Sequence, residues 1–125
     1  RTDIIASESI PDKRDAFMGA SLAVMPIKGP GGTRLKVFEA MASGLPVVST
    51  KIGFAGLNVK NGVNALIADN NKDLSAAAIK LLKNPDLAQR IGKEGQKLVR
   101  KYYDWKSIVK LHDNIYEKAI RAKAA

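Results

Sequence analysis

Between Met25 and Thr50 the chain reads as strand, glycine-rich loop, helix, glycine stop and second strand, a succession that few folds can hold. The loop Ile27-Lys28-Gly29-Pro30-Gly31-Gly32 contains three glycines, which tolerate φ > 0 and let a ligand come close to the backbone. A helix from Thr33 to Ser43 follows. It stops at Gly44, with Pro46 just beyond, which is a C-terminal signal. Val47 to Ser49 then reads as a strand of the kind covered on both faces.

The rest of the chain repeats this alternation. Asp3 to Ala6 reads as a short strand, Asp12 to Gly19 as a helix after Pro11, and Ser21 to Met25 as a buried strand. Asn61-Gly62 signals a turn before a strand from Asn64 to Ile67. A helix from Asp73 to Leu82 is capped by Asn70 or Asn71, and Asn84-Pro85 opens another with Asn as cap and Pro at the first helical position. Four strands separated by helices predict an α/β fold with a parallel sheet and right-handed crossovers. In such sheets ligands bind at the carboxyl ends of the strands, where the Ile27–Gly32 loop begins.

That loop has the layout of an anion site. The helix after it starts with unpaired N–H groups and a partial positive charge, which suit phosphate. Arg34 adds a fork for bidentate contact, and Lys36 adds a mobile point charge. Two cations at a helix N-terminus oppose the macrodipole unless an anion binds between them. Glu39 is the only acid on this helix and can accept hydrogen bonds from vicinal hydroxyls, as on a ribose. Two plainer readings stand beside these: the loop as a tight connection only, and Glu39 paired with Lys36 at i,i+3.

Composition narrows the function classes. Of 125 residues, 46% are hydrophobic and 26% charged, as in a globular domain, and no apolar run approaches the ~18–20 residues of a membrane span. No cysteine is present, so disulfide and thiolate chemistry are excluded, and a single histidine argues against a protein-only zinc site. No metal motif is read and no cofactor is expected. The net charge of +9 comes largely from lysines and arginines spread over residues 80–123. No stacking platform, zinc-finger spacing or helix-turn-helix signature accompanies them, so nucleic acid is not expected as a partner.

Residues 85–125 read as two mostly helical segments without a strand, broken at Tyr103-Asp104-Trp105. On the last helix Trp105, Ile108, Val109, His112, Ile115, Tyr116, Ala119 and Ile120 form one apolar face. That face either packs on its own sheet or supports self-association as a homodimer. His112 reads as a packed histidine.

The run Gly-Gly-Thr-Arg-Leu-Lys-Val-Phe-Glu-Ala-Met-Ala-Ser-Gly-Leu-Pro-Val-Val-Ser-Thr (31–50) resembles the donor-binding segment of family-four retaining glycosyltransferases of the GT-B fold. Ile52-Gly53-Phe54-Ala55-Gly56-Leu57, Asn61-Gly62-Val63-Asn64-Ala65-Leu66 and Lys101-Tyr102-Tyr103-Asp104-Trp105 extend the resemblance over most of the chain. Family members often carry two glutamates eight residues apart. Glu39 matches the second, which reaches the ribose of the nucleotide, whereas Gly31 stands at the first, which faces the transferred sugar. This departure bears on sugar recognition more than on nucleotide binding. Gly32, Thr33 and Arg34 match the turn whose amides face the donor's distal phosphate and sugar, and Ala55 stands where some relatives carry an acid.

The resemblance implies a Rossmann-like domain, the C-terminal part of a GT-B enzyme, over residues 1–125, with 85–125 as a helical C-terminal extension. It implies a nucleoside diphosphate sugar as donor, bound by Gly31, Gly32, Thr33, Arg34, Lys36 and Glu39, and retaining hexosyl transfer to a glycan or lipid-linked acceptor. No catalytic base can be named. Since a GT-B enzyme uses two such domains, the expectation is a partial domain lacking its N-terminal partner and inactive alone. A cytoplasmic location is expected, with peripheral contact at the inner face of an anionic membrane as a salt-sensitive addition. The alternative is a non-catalytic nucleotide-binding or interaction fragment that dimerises through its terminal helix.

Overall fold

A computed structural model describes residues 3–9, 11, 13–29, 34–102 and 117–122. Its elements run α1 (Lys13–Met18), β1 (Ala23–Met25), α2 (Arg34–Ala42), β2 (Val47–Ser49), β3 (Leu66–Ile67), α3 (Asn71–Lys83) and α4 (Pro85–Tyr102). Residues 117–122 are also helical and are exposed. The strands form one parallel sheet in the order β1-β2-β3, with Val24 opposite Val48 and Val48 opposite Leu66. The expected α/β class and parallel sheet are therefore present.

Strand alternation sends side chains to two cores. Val47 and Ala65 enter a cluster with Val37, Ala40 and Met41 of α2, Phe54, and Val99 of α4. Val48 and Leu66 enter the opposite one, with Ala68, Leu74 and Leu81 of α3, and Ile91 of α4. The central strand β2 is buried at all three positions, as its sequence predicts.

Helix ends follow local chemistry. Asn70 is the N-cap of α3: its side chain accepts from the Asp73 amide at 2.8 Å and donates to the Asp73 carboxylate at 2.7 Å. Helix α2 ends at Gly44, whose φ of 84° is a left-handed conformation that suits glycine. Pro85 opens α4, and the Asn84 carbonyl accepts the Ala88 amide at 3.0 Å, but the Asn84 side chain, expected to cap α4, donates instead to the Lys80 carbonyl at 2.8 Å and closes the end of α3.

Three expectations are corrected. The segment from Asp3 to Ala6 is not a strand: Ile4 and Ile5 are 65% and 93% exposed, and no described strand pairs with them. Extended backbone without a ladder partner gains neither hydrogen bonds nor a covered face. The strand expected to be buried between Ser21 and Met25 is shorter and lies at an end of the described sheet, with Val24 41% exposed. Its side chain shares the face of Val48, yet Val24 is not among the residues of the core that α3 helps to close there. Lastly, β2 and β3 are joined by turns over 51–57 and a bridge between Asn61 and Ala65, with no helix. Phe54, Leu57 and Val59 from this connection pack on the α2 side of the sheet and occupy a place a helix would take.

Helix α4 joins the layers from below. A Cβ at Gly92 would collide with the Gly44 carbonyl, just before β2, and one at Gly95 would lie 2.8 Å from the Asn64 carbonyl, before β3. The helix thus crosses the amino ends of both strands, carrying Ile91 into one core and Val99 into the other. Of the apolar stripe expected from Trp105 to Ile120, the part from Trp105 to Tyr116, with His112, lies outside the described residues, whereas Ala119 and Ile120 are described and are exposed.

Candidate functional site

At the carboxyl end of β1 a cleft of about 430 Å³ is lined by Ser7, Ser9 and Glu8, by Phe17 and Ala16 of α1, by Met25, and by Lys36 and Glu39 of α2. Its size falls in the range of small-ligand sites, about 300–1,000 Å³. Phe17 and Met25 give it an apolar lining, while three ionisable side chains converge on it.

Sequence dictates this arrangement through the helical period. On α2, Val37, Ala40 and Met41 turn into the core with no exposure, which leaves Lys36 and Glu39, three apart, to face the cleft together. Lys36 is exposed and Glu39 half-buried. Arg34 is the first residue of α2, and no acid stands in the helix's first turn. Gly31, Gly32 and Thr33 lie outside the described residues. Of the six sequence-predicted donor residues, then, the geometry brings Lys36 and Glu39 into one cleft and puts Arg34 at the helix start.

Sequence reasoning passed over Glu8, Phe17 and Met25. Glu8 introduces a second carboxylate, which leaves Lys36 as the one cation among the described residues lining the cleft. Contact between segments 7–9, 16–17 and 36–39 is tertiary, and no local spacing signals it. The sequence reading ends a strand at Ser49 and assigns Thr50 no role of its own. Both are buried, and their hydroxyls donate to backbone carbonyls, Ser49 to Met25 at the end of β1 and Thr50 to Ile27 in the β1–α2 loop.

A second hollow of about 480 Å³, lined by Leu22, Leu45, Pro46, Leu81, Leu82 and Pro85 among others, lies at the amino end of β2. Its lining is mostly apolar, and it sits opposite the strand ends where parallel sheets bind ligands. The carboxyl-end cleft is therefore the candidate site. Among the described residues no group of three His, Cys, Asp or Glu side chains is positioned to hold a metal. Nor is any described helix long and apolar enough to cross a membrane.

Comparison with solved structures defines the class of this fold. A group 1 family glycosyl transferase C-terminal domain from Francisella tularensis superposes with a TM-score of 0.71 at 20% identity, over 82% of this chain and 53% of that one. Sucrose-phosphate synthase from Thermosynechococcus elongatus superposes at 0.75 with 26% identity, over 86% of this chain and 27% of that one. The architecture is that of the C-terminal domain of GT-B glycosyltransferases.

Residues 2–84 match the family model of the glycosyl transferases group 1, and the chain belongs to that family. An uncharacterized glycosyltransferase of Methanocaldococcus jannaschii is 27% identical over 117 residues, covering 92% of this chain and 33% of that protein. The MMP alpha-(1->4)-mannosyltransferase of Mycolicibacterium hassiacum is 33% identical over 129 residues, covering 99% and 31%. The chain thus spans about a third of the length of these curated relatives.

Proposed function

We propose that this chain supplies the donor-binding part of a retaining glycosyltransferase that transfers a hexose from a nucleoside diphosphate sugar to a glycan or lipid-linked acceptor. The observation that carries the reading is the convergence of Lys36 and Glu39 on one cleft at the carboxyl end of β1, in a chain of glycosyltransferase family. In this reading Glu39 accepts hydrogen bonds from the ribose hydroxyls and fixes the register of the nucleotide. Lys36 and Arg34, with the amides of Gly31, Gly32 and Thr33, hold the diphosphate and stabilise the charge that develops as the glycosidic bond breaks. Binding energy spent on the nucleotide orients the anomeric carbon some distance away. The acceptor and the group that completes the reaction belong to the remainder of a two-domain enzyme.

Calorimetric titration with UDP, GDP and ADP, and with their hexose conjugates, tests this. Saturable binding that prefers one base and weakens in Glu39→Ala supports the reading. Absence of binding to the folded chain by every one of these ligands removes it.

A further inference from the structure

The loop that leaves β1 is held by hydroxyls from a neighbouring strand. Met25, Pro26 and Ile27 form a tight turn in which the Ile27 amide donates to the Met25 carbonyl at 2.9 Å. Proline's fixed φ suits the centre of such a three-residue turn. The second lone pair of that carbonyl is taken by Ser49 Oγ, which donates to it at 2.8 Å. One residue on, Thr50 Oγ1 donates to the Ile27 carbonyl at 2.6 Å and accepts the Gly53 amide at 3.1 Å. Ser49 is fully buried and Thr50 is 5% exposed. Gly53 packs so closely that any Cβ there would strike Ser49 Oγ, with Ile27 Cδ1 3.2 Å away.

None of these bonds belongs to the sheet ladder or to a helix. Buried hydroxyls need partners, but a strand-end Ser or Thr can satisfy itself on its own local backbone. Here both reach across more than twenty residues, Ser49 to its register partner Met25 at the end of β1 and Thr50 to Ile27, two residues beyond it in the β1–α2 loop. The same loop continues into the glycines and Arg34.

We propose that Ser49 and Thr50 are positioning residues that clamp the turn leading from the end of β1 into the β1–α2 loop and thereby set where the start of α2 stands relative to the cleft. Neither touches the ligand. Thr50 acts as donor and acceptor at once and joins the loops leaving β1 and β2, so that they move as one body. Valine has the shape of threonine and can do neither. The consequence for nucleotide binding rests on the donor reading above; the clamp itself does not.

Amide hydrogen exchange and diphosphate titration, measured on the same 125-residue chain, test the proposal. Thr50→Val and Ser49→Ala are compared with Thr50→Ser and with Leu81→Ala, a destabilising change in the core on the opposite face of the sheet. The expected result is exchange at Ile27 and Gly53 about tenfold faster in Thr50→Val, faster exchange at Ile27 in Ser49→Ala, and near wild-type rates in Thr50→Ser. Leu81→Ala should raise exchange broadly without singling out those amides. Affinity for the diphosphate that the wild type binds should fall about tenfold in Thr50→Val and recover in Thr50→Ser. Unchanged exchange at Ile27 and Gly53 in Thr50→Val, or the same pattern in Leu81→Ala, overturns the clamp. Faster exchange with unaltered affinity overturns its positioning role. A wild type that binds no diphosphate bears on the donor reading, while the exchange pattern still decides the clamp.

Discussion

Gln96 Nε2 donates to the Ala42 carbonyl at 2.9 Å, so a side chain of α4 closes the end of α2 from a distance of 54 residues in sequence. A helix leaves its last carbonyls without internal partners. One of those of α2 is satisfied here by the helix that crosses beneath the sheet, next to the left-handed turn at Gly44. Gln96 also lies 3.6 Å from where a Cβ on Gly44 would stand. Helix end and helix crossing are thus one joint.

Gly92→Ala tests that joint, because two effects oppose each other there. Intrinsic propensity favours alanine inside a helix by about 1 kcal/mol. Against it, the added methyl meets the Gly44 carbonyl, a backbone atom that cannot rotate away. Overpacking of this kind costs about 1–3 kcal/mol, and the steric term should prevail. Urea unfolding is expected to show a lower midpoint with an unchanged slope. A midpoint at or above that of the wild type would mean that α4 sits farther from the strand ends.

Asn70→Ala removes the acceptor of the Asp73 amide and the partner of its carboxylate. The expected loss is about 1 kcal/mol of unfolding free energy, while Asn70→Asp or Asn70→Ser retains most of the cap. Thermal and urea unfolding of the three variants should give that ranking. Ligand binding should be indifferent to it, since α3 packs on the face of the sheet away from α2.

Glu39→Gln keeps the shape of the side chain and removes its charge. If the carboxylate grips a ribose, nucleoside diphosphate affinity should fall by about 2 kcal/mol, roughly thirtyfold, and inorganic diphosphate should bind as before. Titration of both ligands against both proteins separates ribose recognition from phosphate recognition.

Lys36→Ala should act in the complementary way. Its ammonium is exposed, so its contribution is screened by salt, and the loss should be only a few-fold at moderate ionic strength. Titrations across a salt series should show a weaker salt dependence in the variant, and Glu39→Gln should leave that dependence unaltered.

Much of this molecule is legible locally. The Asn70 cap, the helix start at Pro85, the Gly44 stop and the buried strand at Val47–Ser49 all follow from chemistry within a few residues, and the structure has them all. Lys36 and Glu39 share a cleft because the helical period puts them on one side of α2. What failed depended on distant partners. Ile4 and Ile5 read as strand by composition, but a strand exists only with a neighbour to bond. Val24 belongs to an apolar run, yet its burial depends on what lies over that end of the sheet. The crossing of α4 is written in Gly92 and Gly95, whose meaning emerges only once Gly44 and Asn64 are beside them. Likewise Ser49 and Thr50 carry no message until the β1–α2 loop lies next to them.

The two cores meet at neighbours in the chain, Val47 with Val48 and Ala65 with Leu66, and the first pair lies on a strand of three residues that also carries both ladders of the sheet. Opening either face exposes the backbone that the other face needs. A heat or denaturant scan followed by any probe, on α2 or on α3, should therefore trace the same curve. Among the described residues, neither core should melt and leave the other standing.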